Sequence, residues 1–342
     1  MNKVIKEDLK ALKKKLRKFR SKITGKRFLL TGGAGFIGSW ICDTLALFSP
    51  EKIVCVDNLS TLSSSISNIA HLMENENFTF IKADVSKTYW LSHEEIKRGS
   101  DYILHLAARA DPKDYVNFPI ETMLPNSFGT FYTLKLAEKF DATYYFASTS
   151  EVYGDPKIHP QSESYWGNVN PVGIRSCYDE SKRFSEALCM AFMREKGVCV
   201  KINRIFNTYG PRLNDGRVIC TFISQALKGE PITVFGDGKQ TRSPCYITDM
   251  VYAMLLTLFK GKSGEVYNAG NLEEIRIIDL ARLIKKLTNS DSRIIFLPKP
   301  EDDPTKRKPN ISKISKELGF SPEVSLKEGL EKTIEWFRGE EK

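Results

Sequence analysis

Tyr178 and Lys182 stand four residues apart, a spacing that puts both side chains on one face of a helix. An ammonium beside a phenol favours phenolate and lowers the tyrosine pKa toward working pH. Such a phenolate can take a proton from an alcohol while hydride leaves the adjoining carbon. Tyr-x-x-x-Lys is common by chance, and position is what gives this pair meaning. It opens a helix one element after Ser148-Thr149-Ser150-Glu151. That tetrad ends a strand, and ligands of open parallel sheets bind at the C-terminal ends of strands. The hydroxyls of Ser148, Thr149 and Ser150 can orient a substrate hydroxyl, and Glu151 is the ionisable member of the set.

A hydride needs an acceptor, and the chain offers a place for one. Thr31-Gly32-Gly33-Ala34-Gly35-Phe36-Ile37-Gly38 follows the first strand and opens the first helix of the sheet. Glycines at 32, 35 and 38 allow a tight turn and close approach to a pyrophosphate. The helix N-terminus adds free N–H groups and a positive dipole end. Asp57 closes the second strand, 19 residues after Gly38, where a carboxylate can accept hydrogen bonds from an adenosine ribose. It also repels a 2′-phosphate, so NAD is expected rather than NADP. Asp84, ending the third strand, is placed to meet the adenine. Asn58, Val85, Leu106 and Ala107 complete the expected cofactor contacts, together with Phe36, Ile37, Ser148, Tyr178 and Lys182.

The elements that must position these groups are legible in the rhythm of the text. Strands are expected at 26–31, 52–57, 78–84, 102–107, 142–148 and 198–205. Helices are expected at 35–48, 122–140 and 178–196. Strands alternating with helices imply an α/β fold: a Rossmann-type, doubly wound parallel sheet covered on both faces. After Arg204 the elements shorten, at 219–228, 232–235, 249–259, 266–268 and 277–288, with a helical tail at 326–338. This reads as a smaller C-terminal α/β substrate-binding lobe. The expected division is a helix at 1–24, a dinucleotide-binding domain at 25–205 and the lobe at 206–342, with part of 241–270 returning to the first domain.

The net charge of +9 is unevenly spread. Residues 1–27 carry 12 of the 51 Lys and Arg but only 2 of the 42 Asp and Glu, leaving a nearly neutral body. A neutral body argues against a nucleic-acid partner. Within the arm, Ile5, Leu9, Leu12, Leu16, Phe19 and Ile23 make a helical stripe opposite the cations. That stripe is expected to pack on the body or on a sister subunit, while a membrane-surface contact is the alternative. Seven scattered cysteines without a CxxC pair support neither disulfides nor a metal site, and suggest a reducing, cytoplasmic setting. No signal-peptide core and no membrane-length apolar run are expected.

Several of these stretches carry a resemblance. The glycine loop, Ser148-Thr-Ser-Glu-Val-Tyr-Gly154 and Tyr178-Asp-Glu-Ser-Lys182 resemble the extended short-chain dehydrogenase/reductase family. Within it the chain is similar to UDP-glucuronate decarboxylases over about residues 26–338. The matching stretches include His159-Pro-Gln161, Tyr165-Trp-Gly-Asn-Val-Asn-Pro171 and Arg204-Ile-Phe-Asn-Thr-Tyr-Gly-Pro-Arg212. Asn214-Asp-Gly-Arg217, Gly238-Lys-Gln-Thr-Arg242 and Asp302-Asp-Pro-Thr-Lys-Arg-Lys-Pro309 continue them. The resemblance implies that Tyr178 and Lys182 form the base pair and that Thr149 holds the sugar hydroxyl, with Ser150 beside it. It implies that Glu151 and Arg242 manage the carboxylate and ring protonation, and that Asn207, Arg217 and Arg307 hold the UDP. Arg242 is equally well read as a phosphate ligand, and Arg307 as solvated surface. Tyr115 is counted as a further substrate contact. A retained NAD, a UDP-sugar substrate, and a homodimer formed by the helices near 122–140 and 178–196 are also implied. For the dimer, Phe184, Leu188 and Phe192 supply apolar positions.

The implied reaction turns UDP-glucuronate into UDP-xylose through a 4-keto sugar, whose ketone lies β to the departing carboxylate. A 4,6-dehydratase shares the first oxidation but wants an acidic pair at 150 and 151, and Ser150 leaves that pair incomplete. A 4-epimerase or a catalytically inert nucleotide-binding scaffold are the other readings. Three departures from the decarboxylase pattern stand out: His105-Leu-Ala-Ala-Arg-Ala-Asp-Pro112, Pro244 and Asn310. The first two are expected to bear on the choice of sugar.

Overall fold

The structure, a computed structural model, describes residues 2–340. At its centre is a parallel sheet of seven strands. In chain order they are β1 (Arg27–Thr31), β2 (Lys52–Asp57), β3 (Phe78–Lys82), β4 (Tyr102–His105), β5 (Thr143–Thr149), β6 (Val200–Ile205) and a last strand, Val266–Ala269. Their spatial order is Val266–Ala269, β6, β5, β4, β1, β2, β3. Every neighbouring pair is parallel. Strands of this kind are covered on both faces, which is why β1 and β2 are apolar almost throughout and buried along their length.

Two apolar cores lie on the two faces. One joins alternate residues of β1 and β2 to the helices Phe36–Ala46 and Ile247–Lys260. The other takes the remaining residues, such as Leu29, Val54 and Val56, and packs them under the helices Thr130–Phe140 and Ser176–Lys196. The chain reverses its winding between β1 and β4, and such a switch point opens a crevice at the strand ends. Thr31, Val56 and His105 stand level there. His105 accepts from Thr31 Oγ1 through Nδ1 at 2.6 Å and bonds the Pro125 carbonyl through Nε2 at 3.0 Å. Burial holds its pKa down at about 3, so it is a neutral strut rather than an acid.

The helix expected at 122–140 is broken into pieces. Pro119–Leu124 passes through a π-helical turn, Pro125–Gly129, into Thr130–Phe140. A proline inside a helix cannot donate to the preceding turn, and the wider turn accommodates it. A short helix, Pro112–Asn117, was not anticipated; Asp111 caps it by accepting from Lys113 N at 2.8 Å.

The N-terminal arm folds as the helix Lys3–Leu16 and a 3₁₀ turn, Arg17–Lys22. Its apolar stripe is fully enclosed, with Leu12, Leu16 and Ile23 at 0% exposure. It packs on the helix Ile247–Lys260, and Asp8, Lys15 and Lys18 bond Tyr246, Asp249 and Tyr252 of that region. The apolar face therefore meets the body of the protein, not a lipid surface. Among the described residues no helix is long and apolar enough to cross a membrane.

The C-terminal elements form a smaller layer. The strand Ile232–Phe235 pairs with Ile294–Leu297 beside the helices Val218–Leu227 and Ile277–Thr288. A three-stranded ribbon, Ile275–Arg276, Thr241–Arg242 and Lys306–Arg307, reaches back toward β5.

Candidate active site

A cleft of about 300 Å³ runs along the C-terminal ends of the strands. Every residue expected to touch the cofactor lines it, and so do Thr149, Ser150, Glu151, Asn207 and Arg217.

The first wall is the glycine loop, which passes from β1 into the helix Phe36–Ala46. Gly32 has φ +71°, and a Cβ there would lie 2.7 Å from Ala107 N. A Cβ on Gly38 would lie 2.1 Å from the Gly32 carbonyl oxygen. Only glycine lets the loop, the helix and the chain after β4 come this close. Asp57 fixes the loop from below. Its Oδ2 accepts from Ala34 N at 3.1 Å, and its Oδ1 from Leu59 N at 2.8 Å and Ser64 Oγ at 2.7 Å. Burial pushes its pKa up, against these bonds. Asp84 likewise holds its own turn through Ser86. A glycine cradle, a helix N-terminus and a buried acid at the end of β2 fit a dinucleotide.

The second wall is the end of β5 and the start of the helix Ser176–Lys196. Thr149 Oγ1 accepts from Glu151 N at 3.2 Å, capping the next turn, and its hydroxyl stands on the Tyr178 side, opposing the rise of that phenol's pKa. Tyr178 stacks on Tyr115 with centroids 5.1 Å apart and planes 1° from parallel.

Lys182 lies one helical turn from Tyr178, with its ammonium over the Tyr178 ring. Its Nζ donates to the Ala147 carbonyl at 2.8 Å and lies 5.9 Å from the Tyr178 ring centre. Burial pulls the ammonium down to about 7. Burial pushes the Tyr178 phenol up, and Thr149 and Arg217 oppose it. Ser148 departs from expectation, since its hydroxyl is given to Glu186, which in turn pairs with Arg204.

Glu151 is held by two guanidinium groups. Arg175 donates to Oε2 at 2.7 Å and Arg307 to Oε1. Burial works to raise its pKa, but the charges of Arg307 and then Arg175 outweigh it and hold it at about 2. Glu151 is thus held as an anion between its two guanidinium partners.

Three expected substrate contacts stand behind the cleft wall rather than on it. Arg307 is neither a phosphate ligand nor solvated surface here: it is 2% exposed and bonds Glu151 and the Gly154 carbonyl. Arg242 lies in register with it on the ribbon and pairs with Asp303 at 3.1 Å. Tyr115 is enclosed between Tyr178 and Arg175, its hydroxyl without a partner. Asn207 and Arg217 do reach the cleft. The Asn207 Oδ1 is buried and unpartnered, and Arg217 is oriented by Asp215.

Arg175 and Asp111 were missed. Arg175 precedes Tyr178 by three residues, a helical spacing that could have flagged it. Asp111 accepts from Gly216 N and so ties the chain after β4 to the turn carrying Arg217. The departure at 105–112 is therefore divided. Asp111 faces the substrate side, while Arg109 faces the cofactor side, bonding Ser60 O at 3.1 Å. Asn310 accepts from Ser312 N at 2.9 Å, a bond that an aspartate would make equally well. Among the described residues no group of His, Cys, Asp and Glu could hold a metal ion.

Comparison with known proteins agrees with this geometry. The profile of the NAD dependent epimerase/dehydratase family matches residues 28–270. UDP-glucuronic acid decarboxylase 1 of Xenopus tropicalis is 46% identical over 325 residues, covering 94% of this chain and 75% of that protein. A UDP-glucuronic acid 4-epimerase from Bacillus cereus, solved with UDP-glucuronic acid and NAD, superposes with a TM-score of 0.83 at 30% identity, covering 92% of this chain and 99% of that one. A dTDP-glucose 4,6-dehydratase from Streptomyces venezuelae with NAD bound gives 0.85 at 28% identity, covering 92% and 97%.

Proposed function

The chain belongs to the NAD dependent epimerase/dehydratase family, and from that membership we propose that it is a UDP-glucuronate decarboxylase. The observation that carries the proposal is one cleft in which Thr149, Tyr178 and the arginine-held Glu151 line the wall opposite a dinucleotide cradle.

NAD, when bound, accepts the hydride of C4 and later returns it. The chain supplies the rest. Tyr178 takes the proton of the 4-hydroxyl, and Thr149 orients that hydroxyl. The resulting ketone lies β to the sugar carboxylate, so the C5–C6 bond can break with its electrons entering the ketone as an enolate. A proton then adds at C5. The sum is UDP-glucuronate plus a proton giving UDP-xylose plus carbon dioxide, with no net redox change.

Asn207 and Arg217 are the residues on the cleft wall suited to the nucleotide diphosphate, Arg217 with its fork held in place by Asp215. Lys182, anchored on the Ala147 carbonyl one helical turn from Tyr178, supplies the positive charge that favours the phenolate. Arg242 and Arg307 support the site from behind, through Asp303 and Glu151.

The experiment is a product assay with UDP-glucuronate, UDP-glucose and dTDP-glucose. Carbon dioxide and a UDP-pentose support decarboxylation. A 4-keto-6-deoxy sugar would move the assignment to a dehydratase, UDP-galacturonate to an epimerase, and bound NAD without turnover to a scaffold.

A homodimer belongs to the same proposal. Ile120, Met123, Phe128, Phe131 and Phe184 are exposed on two stretches of helix that pack together. Phe192 is used internally, against Phe131 at 5.9 Å, so it is not free for a partner. A monomer by light scattering at micromolar concentration would contradict the dimer. The seven cysteines are all unpaired, which supports a reducing, cytoplasmic setting.

A further inference from the structure

We propose that Arg109 is a strap across the dinucleotide crevice, a cofactor contact that governs how long the dinucleotide stays bound. The inference rests on reading the cleft as an NAD site.

The sheet order places β1 between β4 and β2, so the loops after β4 and β2 flank the glycine loop on its two sides. Arg109 belongs to the first of these loops and Ser60 to the second. The bond from Arg109 Nη1 to Ser60 O, 3.1 Å long, therefore spans the glycine loop, where a pyrophosphate is received. Both residues line the cleft, as do Thr61, Ser63 and Ser64 beyond Ser60.

The guanidinium is held for this task. Asp114 accepts from Nη1 at 2.8 and 2.9 Å, and the Phe118 ring centre lies 4.8 Å from Cζ. The side chain is 12% exposed. All three bonds use Nη1, and among the described residues Nε and Nη2 donate to nothing. A guanidinium with free donors matches phosphate and ribose oxygens.

Charge supports the same placement. The cations lining the cleft are Arg109, Lys182 and Arg217. Lys182 lies at the far end, bonded to Ala147, and Arg217 belongs to the substrate side, paired with Asp215. Arg109 is left as the cation of the loop after β4, which flanks the glycine loop. With Arg109 across the loop, a dinucleotide can leave only after the bond to Ser60 opens. Retention of this kind suits a reaction that restores its cofactor at every turnover.

The test measures dinucleotide retention rather than turnover. NAD carried through gel filtration is quantified by chromatography, and NADH dissociation is followed by fluorescence, in wild type, Arg109→Ala and Arg109→Lys. Melting temperature without added dinucleotide checks the fold. The expected result is NADH release about tenfold faster in Arg109→Ala, the size of one charge-assisted contact, with less NAD co-purifying. Arg109→Lys keeps the charge but not the fork and should fall between. Unchanged release from a folded Arg109→Ala protein overturns the strap. If that variant does not fold, unchanged release from Arg109→Lys overturns it instead. A wild type that binds neither NAD nor NADH sinks the cofactor reading itself, and the strap with it.

Discussion

Arg175 reaches from the start of the helix that carries Tyr178 to Glu151 at the end of β5, donating to Oε2 at 2.7 Å. This bond joins the two elements of the catalytic wall. Arg307 holds the other carboxylate oxygen from the C-terminal ribbon, so one anion gathers three parts of the chain.

Arg175→Ala removes one of the two counter-charges and leaves Glu151 half-paired. Breaking a buried pair costs about 3 kcal/mol at the lower end of the usual range, which fits a site where Arg307 remains. Because the folded-state pKa of Glu151 is depressed to about 2, the clamp stabilises fully above the ordinary carboxylate range. That contribution fades as pH falls toward 2. In the variant the carboxyl titrates higher, so acid destabilisation should begin at higher pH. Melting curves from pH 3 to 7 check this, and kcat should fall about a hundredfold as Glu151 loses its place. Arg175→Lys should recover part of both losses.

Tyr178→Phe should reduce kcat about a thousandfold, within the range of a lost general base, while NAD content stays that of wild type. Turnover close to wild type would refute the role given to the phenol. Thr149→Ala tests the same group by titration. Burial raises the Tyr178 pKa and the Thr149 hydroxyl opposes it. Without that hydroxyl the phenol should ionise at higher pH, moving the acidic limb of the kcat profile upward. A limb that stays in place, or moves down, would show that another group is the base.

How far the text of the chain reached can be judged from single residues. The glycine loop, Asp57 and the strand alternation were legible because period and spacing are local properties. The break in the helix at Pro125 was available in principle, yet the register on either side continues, and only the π turn reconciles proline with an unbroken helical path. Arg307 was expected to hold the UDP, with solvated charge as the alternative that Lys306-Arg307-Lys308 suggests, and its burial against Glu151 fits neither reading. The pairing of Arg307 with Glu151 across 156 residues is a tertiary event that no local pattern announces. Helical spacing put Lys182 near Tyr178, but its bond to the Ala147 carbonyl is again a tertiary contact that spacing does not announce.

Gly38→Ala should abolish dinucleotide retention. The new methyl would lie 2.1 Å from the Gly32 carbonyl and 2.7 Å from Gly33 Cα, both backbone atoms, so the loop must shift rather than a side chain turn aside. Overpacking of this kind costs about 1–3 kcal/mol. The expected outcome is a lower melting temperature together with loss of co-purifying NAD. A variant that melts lower but keeps its NAD would mean that the loop is only a packing device.

The arm offers the last prediction. Its apolar stripe was expected to pack on the body or on a sister subunit; it packs on the body, and Leu12 is wholly buried among the residues of that core. Leu12→Ala leaves a cavity between the helix Lys3–Leu16 and the helix Ile247–Lys260, and such truncations cost about 2–5 kcal/mol. Asp8 and Lys15 bond Tyr246 and Asp249 from the same helix, so loosening it also strips partners from buried polar groups. The arm is then part of the fold, and the variant should show an earlier unfolding midpoint in urea. An unchanged midpoint would mean that the arm is an appendage, whatever contacts it makes.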